Sequence, residues 1–342
     1  MITLADAFGE TVTLGAGHGA EGGAAGRAFS ETREKTQGEN MPTEPVEKVL
    51  NRDLSRVNAR ELIDRVCPML DEIVNYGTNL YIRHAHVLPE LISADGAPLL
   101  IYLHILEMTD GISELLRESC VAASIPTLRA SFEGSLALEY ILESDSANRA
   151  TAWAVGYLSE QLDICDKILG HGKSGQKFQS AVANDLLAAD IDVAQLQPIA
   201  AVQKPIWEKE LSRIEFASAL KARAESKKPY PNWYSLSGGP ANLRELSAHL
   251  KREAQYNVLY SYFSGIAHGQ DLRRFTSAAA SKNPLSRLVR DSSGLEMVGT
   301  LAAVFALLAA RLVSERYGEV AAYSSWYTNE IRKRFVPWRA PN

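Results

Sequence analysis

Arg129-Ala130-Ser131-Phe132-Glu133, inside the longer run from Ser124 to Leu142, is the stretch whose reading decides the fold. Leu128, Phe132, Leu136 and Ile141 recur in it at helical spacing, and Arg129 and Glu133 stand four apart. The run predicts a helix from Pro126, a proline suited to a first turn with Ser124 as its cap, to Leu142. A later stretch has the same design: Tyr260-x3-Ser264-x3-His268-Gly269. Steps of four on an α-helix drift by only about 40°. Each stretch therefore lays a polar line along an otherwise apolar helix, and an unpaired buried hydroxyl or charge costs about 1–3 kcal/mol or more. The simplest solution is that the two lines face each other as a buried polar seam.

The rest of the chain repeats the helical pattern from about Val46 onward. Leu62, Ile63, Val66, Leu70, Ile73, Val74, Leu80 and Ile82 give mixed three- and four-residue spacing between Leu54 and Val87. Ala97 to Ala123 predicts a second long helix. Asp145 or Ser146 caps a fourth, running to Leu169 and stopped by Gly170-His171-Gly172. Residues 173–226 read as two or three more, the last being the charged run Lys204 to Glu225. Lys227 to Pro240, rich in Pro, Gly, Ser and aromatics, reads as an ordered loop or lid. Asn242–Leu250, Glu253–Ala267, Gly294–Tyr317 and Val320–Phe335 complete the set. The expected architecture is all-α, a multi-helix bundle forming a single domain over 46–338. Residues 1–45 are expected to be a disordered tail, Gly/Ala-rich and then charged, which buries too little apolar surface to offset its ordering. Met41-Pro42-Thr43-Glu44-Pro45 reads as a more ordinary start, so translation could begin at Met41 as well as at Met1.

Hydrophobic residues make up 46% and charged residues 23% of the 342, which is ordinary for a soluble chain with a real core. A formal net charge of −5 argues against broad electrostatic binding of nucleic acid, which leaves only a local patch around Arg273, Arg274, Lys282, Arg287 and Arg290, or at Arg332, Lys333 and Arg334. Solvated helix ends explain those charges more simply. Cys67, Cys120 and Cys165 are isolated, with no CxxC, so free thiols in a reducing cytoplasm are expected. Met297 to Ala310 is too short for a membrane span of about 20 residues and reads as a buried central helix.

Chemistry-bearing motifs are few. His268 near a helix C-terminus, with Glu133 as partner, would be a carboxylate–imidazole pair fit for general acid–base work; Asp271 could partner it instead. A core histidine bridging two helices accounts for it equally simply. Trp233 and Tyr234, in the loop Pro229 to Tyr234, could cover a pocket or stack on a substrate, or simply pin the loop. Glu139 and Glu143 are expected to face water, and His104 to be packed. His84 and His86, about 200° apart on a helix, cannot share a metal. HExxH, phosphate-loop, GxSxG and Rossmann glycine signatures are missing, so metal and nucleotide cofactors have no positive support.

The order Arg129-Ala130-Ser131-Phe132-Glu133, then Trp233, then Tyr260, Ser264 and His268-Gly269 resembles a mainly bacterial helical family, domain-of-unknown-function family 5677, over roughly Leu54 to Phe335. The resemblance implies a helical fold and no settled activity. The helix-bundle style is also similar to that of the HEPN ribonucleases, which use Arg-x(4–6)-His. The positions required before His268 are Ser261, Tyr262 and Phe263, so the motif fails there, and Arg244-x4-His249 is a match expected by chance.

Three functions follow as expectations. The first is a cytoplasmic interaction or regulatory module in which Arg129, Glu133, Tyr260, Ser264 and His268 form an internal network. The second is a metal-independent hydrolase or ribonuclease-like enzyme, with His268 as acid or base, Glu133 its orienter, Arg129 an anion clamp and Tyr260 a donor. The third is a small-molecule sensor with its pocket under the Trp233 loop. Partners stay unspecified, and a homo-oligomer is compatible with all three.

Overall fold

In a computed structural model of the chain, four apolar helices surround one core. The structure describes residues 50–88, 90, 92–185, 193–228, 231–263, 290 and 292–335. The tail 1–45, the Met41 start, and Ser264, His268, Gly269 and Asp271 lie outside the described residues. So do Arg273, Arg274, Lys282 and Arg287 of the first basic patch. Among the described residues the secondary structure is all helical.

The short α1 (Arg52–Asn58) is capped by Asn51, whose side chain accepts the Leu54 N–H at 2.9 Å. α2 (Arg60–Ala85), α3 (Ala97–Arg117) and α4 (Val121–Glu143) follow. The expected break between the second and third helices moves. Ser119 takes a left-handed φ of 54°, and the Cys120 N–H bonds the Leu115 carbonyl at 2.8 Å, so the helix ends before Ala123. Pro126, exposed to solvent, therefore sits inside α4 rather than at its first turn.

α5 (Ser146–Leu169) runs as expected, from Asp145 to a left-handed Gly170 with φ 74°. α6 (Gly172–Asn184) and α7 (Val193–Leu211) come next. The run Lys204 to Glu225 is not one helix. It breaks at Arg213, then gives a 3₁₀ turn (Ile214–Phe216) and α8 (Ala217–Ala224). The extended backbone of Arg213 is stabilised through its guanidinium, which reaches Glu210 at 3.1 Å, Glu215 at 2.8 Å and the Ile92 carbonyl at 3.0 Å. Four charge-assisted or backbone contacts, counting Glu90, outweigh one helical turn.

A 3₁₀ segment (Trp233–Gly238) precedes α9 (Leu243–His249) and α10 (Glu253–Asn257). α10 widens into a π-helical turn, Val258–Tyr262, where the Phe263 N–H reaches back to the Val258 carbonyl. The steps of four counted from Tyr256 thus cross a π turn rather than a regular α-helix. α11 (Leu295–Tyr317) and α12 (Val320–Trp326) follow, the latter passing through a second π turn, Tyr327–Arg332, to Phe335.

α3 packs between α2 and α4, and α11 lies against all three. Val298, Ala302, Phe305, Ala309 and Val313 of α11 are buried, as the central-helix reading requires. This helix is long and apolar enough to cross a membrane by composition, yet 67% of its most apolar window is buried in the fold. Phe132 and Phe305 meet at its centre with ring centroids 5.3 Å apart. Each such side chain contributes about 1.5–3 kcal/mol by burial. α5 covers α3 and α4 and carries α6, α7 and α8, with a smaller apolar cluster of Ala154, Val155, Leu158 and Phe216. The site lies where this second layer meets α4.

Candidate functional site: two clefts divided by an aromatic wall

Close approach builds the wall. A Cβ at Gly156 of α5 would lie 3.1 Å from the Trp233 Cβ, so the missing side chain lets the indole lie on the helix. A Cβ at Gly239 would lie 2.0 Å from the Tyr234 carbonyl oxygen and 2.7 Å from the Tyr140 hydroxyl, which only glycine avoids. Arg223 of α8 adds a bond to the Pro231 carbonyl at 3.3 Å. The result is an edge-to-face pair, Trp233 and Tyr234, with centroids 5.4 Å apart at 79°.

Two clefts share this pair in their linings. The first, about 360 Å³, has Ile101, Ala137 and Leu246 in its apolar floor and Trp153, Trp233 and Tyr234 in its walls. Glu133, His104 and Asn232 bring polar groups to it. The second, about 710 Å³, is lined by Tyr140, Arg149, His249 and again by Trp233 and Tyr234. Trp233 and Tyr234 both line two open clefts. His104 is a correction: it is exposed and lines the first cleft, because its position on α3 falls on the side that α4 leaves open beyond Gly134.

One described contact joins the two polar lines, Tyr260 to Glu133, and it does not lie in a sealed core. The Tyr260 hydroxyl donates to Glu133 Oε1, and the Arg129 guanidinium lies 4.1 Å above the Tyr260 ring. Tyr256 stacks on the other side of that ring, at 4.6 Å and 8°. Arg129 and Glu133 are therefore joined through the tyrosine. Burial first, then the bond to Glu133, pushes the Tyr260 hydroxyl well above the usual tyrosine value, with Arg129 opposing, so it stays a donor at neutral pH. Glu133 itself is exposed, which corrects the buried-seam expectation. The line it belongs to faces the layer of α5 and Trp233, where packing stops at a cleft. Tyr234 nearby is also raised, by burial and then by the Glu133 charge. The proposed roles of Ser264 and His268 fall outside the described residues.

The sealed polar contact involves residues the sequence reading did not select. Arg252, between α9 and α10, has a side chain only 8% exposed and reaches Glu139 at 2.9 Å, Ser135 at 3.2 Å and Gln255 at 2.6 Å. It also lies 5.4 Å from the Phe132 and Phe305 rings. Glu139, expected in water, is 27% exposed because Arg252 covers it. Burial lowers the Arg252 value, with Glu139 opposing. The sequence signal was thin: an arginine within a short amphipathic segment.

His249 was set aside as a chance motif match, yet its Nε2 lies 2.8 Å from Glu143 Oε2, and Arg149 reaches the same oxygen at 3.1 Å. Burial works to raise the Glu143 carboxyl, but these two partners hold it below the usual value. Such a carboxylate–imidazole pair on a cleft can hold a proton or orient a polar group. Of the second basic patch, Arg334 pairs with Glu330 at 2.9 Å and Lys333 with Asn329 at 2.7 Å, as solvated helix ends do.

No curated protein and no solved structure matches the chain. A model of a family of unknown function, DUF5677, matches residues 95–283, which is more than half of the 342 residues. The match is narrower than Leu54 to Phe335, yet it holds α3 to α10, the aromatic wall and both clefts. The chain belongs to this family of unknown function, DUF5677.

Proposed function

We propose that the protein is a regulatory binding module that takes a small molecule in the cleft under Trp233. The supporting observation is that one rigidly seated aromatic pair, Trp233 and Tyr234, lines both clefts. Ligand sites of about 300–1,000 Å³ with apolar walls and few polar groups are the common pattern, and the smaller cleft fits it. Occupancy there would bear directly on the loop joining α8 to α9, giving a route from ligand to surface. Arg129, Tyr260 and Glu133 position α10 beside α4 in this reading. The hydrolase alternative through His268 gains less support, since His268 lies outside the described residues. Cytoplasmic action belongs to the same reading, on three free cysteines.

The test is a thermal-shift and tryptophan-fluorescence screen against fractionated metabolites, run on wild type and Trp233→Ala. A ligand at about one hundred times its Kd should stabilise wild type by about 2.7 kcal/mol and leave the variant unmoved. Equal shifts in both proteins, or none in any fraction, would end this reading.

A further inference from the structure

We propose that the smaller cleft is selective for an organic cation, an amine or quaternary ammonium on a compact apolar body. This rests on the cleft reading above and specifies its ligand class. Three observations carry it. Trp233 and Tyr234 stand edge-to-face at 79°, and Trp153 adds a second indole to the lining, so aromatic rings turn to the space from more than one direction. Aromatic faces carry negative potential and attract a cation within about 6 Å of the ring centroid. Glu133 is exposed at this cleft and is the one carboxylate among its described lining residues, which include neither lysine nor arginine.

The nearest cation on the same helix is directed elsewhere. Arg129 lies over the Tyr260 ring, outside the lining. Tyr260 donates to one oxygen of Glu133, Oε1, which fixes the carboxylate; among the described residues no hydrogen bond falls on Oε2, which can meet a ligand proton or ammonium. The Ile101, Ala137 and Leu246 floor suits the apolar body of the ligand. An anion would meet a carboxylate and aromatic rings here, with His104 and the Asn232 amide to donate to it. The second cleft is different, since Arg149 and His249 line it.

The experiment uses charge-matched probes on the full chain: choline against 3,3-dimethylbutan-1-ol, and phenyltrimethylammonium against tert-butylbenzene, by titration calorimetry and ligand-observed NMR. The cations should bind at least about fivefold more tightly than their neutral isosteres. Glu133→Gln should remove most of that preference while leaving neutral-probe affinity unchanged, and Trp233→Ala should weaken both. Trp233→Phe, which keeps an aromatic face, should retain the preference if the first variant is compromised in folding. Neutral probes binding as well as cations, with loss in Trp233→Ala, would overturn the cation assignment and leave the cleft reading standing. No binding by any probe would overturn both.

Discussion

Two carboxylates on α4, Glu133 and Glu139, stand six residues apart and live in opposite conditions. Glu139 is covered by a nearly buried arginine that lies over a pair of phenylalanine rings, whereas Glu133 sits exposed at a cleft and accepts a tyrosine hydroxyl. The difference shows which contact fixes the helix packing. Arg252 and Glu139 lock the start of α10 onto α4 and α11, so the Tyr260 end is free to carry a half-open polar group. A seam sealed along its whole length would leave no room for a ligand.

The comparison breaks most readily at the sealed end. Glu139→Ala leaves the Arg252 charge buried without its partner, and denaturant unfolding should record a loss of about 3–5 kcal/mol. The paired change Arg252→Met with Glu139→Leu should recover most of it, since an apolar pair of similar volume removes both desolvation penalties. A loss under about 1 kcal/mol in Glu139→Ala would refute the assignment of the locking role.

Next in size is the wall. Gly156→Val drives a side chain into Trp233 and should cost about 1–3 kcal/mol by overpacking, with a visible change in tryptophan emission. An unchanged spectrum would mean the indole is not seated on α5.

Tyr260→Phe should cost only about 0.5–1.5 kcal/mol, because water can replace the lost donor at an exposed carboxylate. A loss as large as that of Glu139→Ala would show that both ends of α4 are sealed.

The smallest effect is one of pH. The folded Glu143 value lies below the ordinary 4.5, so the stability from its pairing is complete above about pH 4.5 and is lost as pH falls through the lowered folded value. His249→Ala should therefore narrow the gap in melting temperature between neutral and acidic buffer. An identical acid profile in that variant would remove the pair from the account.

Much of this architecture was readable from periodicity. α5 and α11 lie almost where their apolar spacing and flanking glycines put them, because helix stops such as Gly170 and Gly318 are local. The break at Ser119 was not readable, since serine carries no strong left-handed preference and the turn is held by bonds from the Ser119 N–H to Leu116, from Cys120 to Leu115 and from the Ser119 hydroxyl to Ser55. The aromatic loop drew notice as a cluster of ring side chains, but its two clefts depend on Gly156 lying opposite it from a helix that ends sixty-odd residues earlier in the chain.

Spacing alone determined that this chain is a helical bundle, because helical periodicity is a property of neighbours along the chain. Only the tertiary structure decided which carboxylate is covered by an arginine. Glu133 and Glu139 look alike in sequence, and what separates them is whether an arginine from a distant turn reaches in or the packing stops at Trp233.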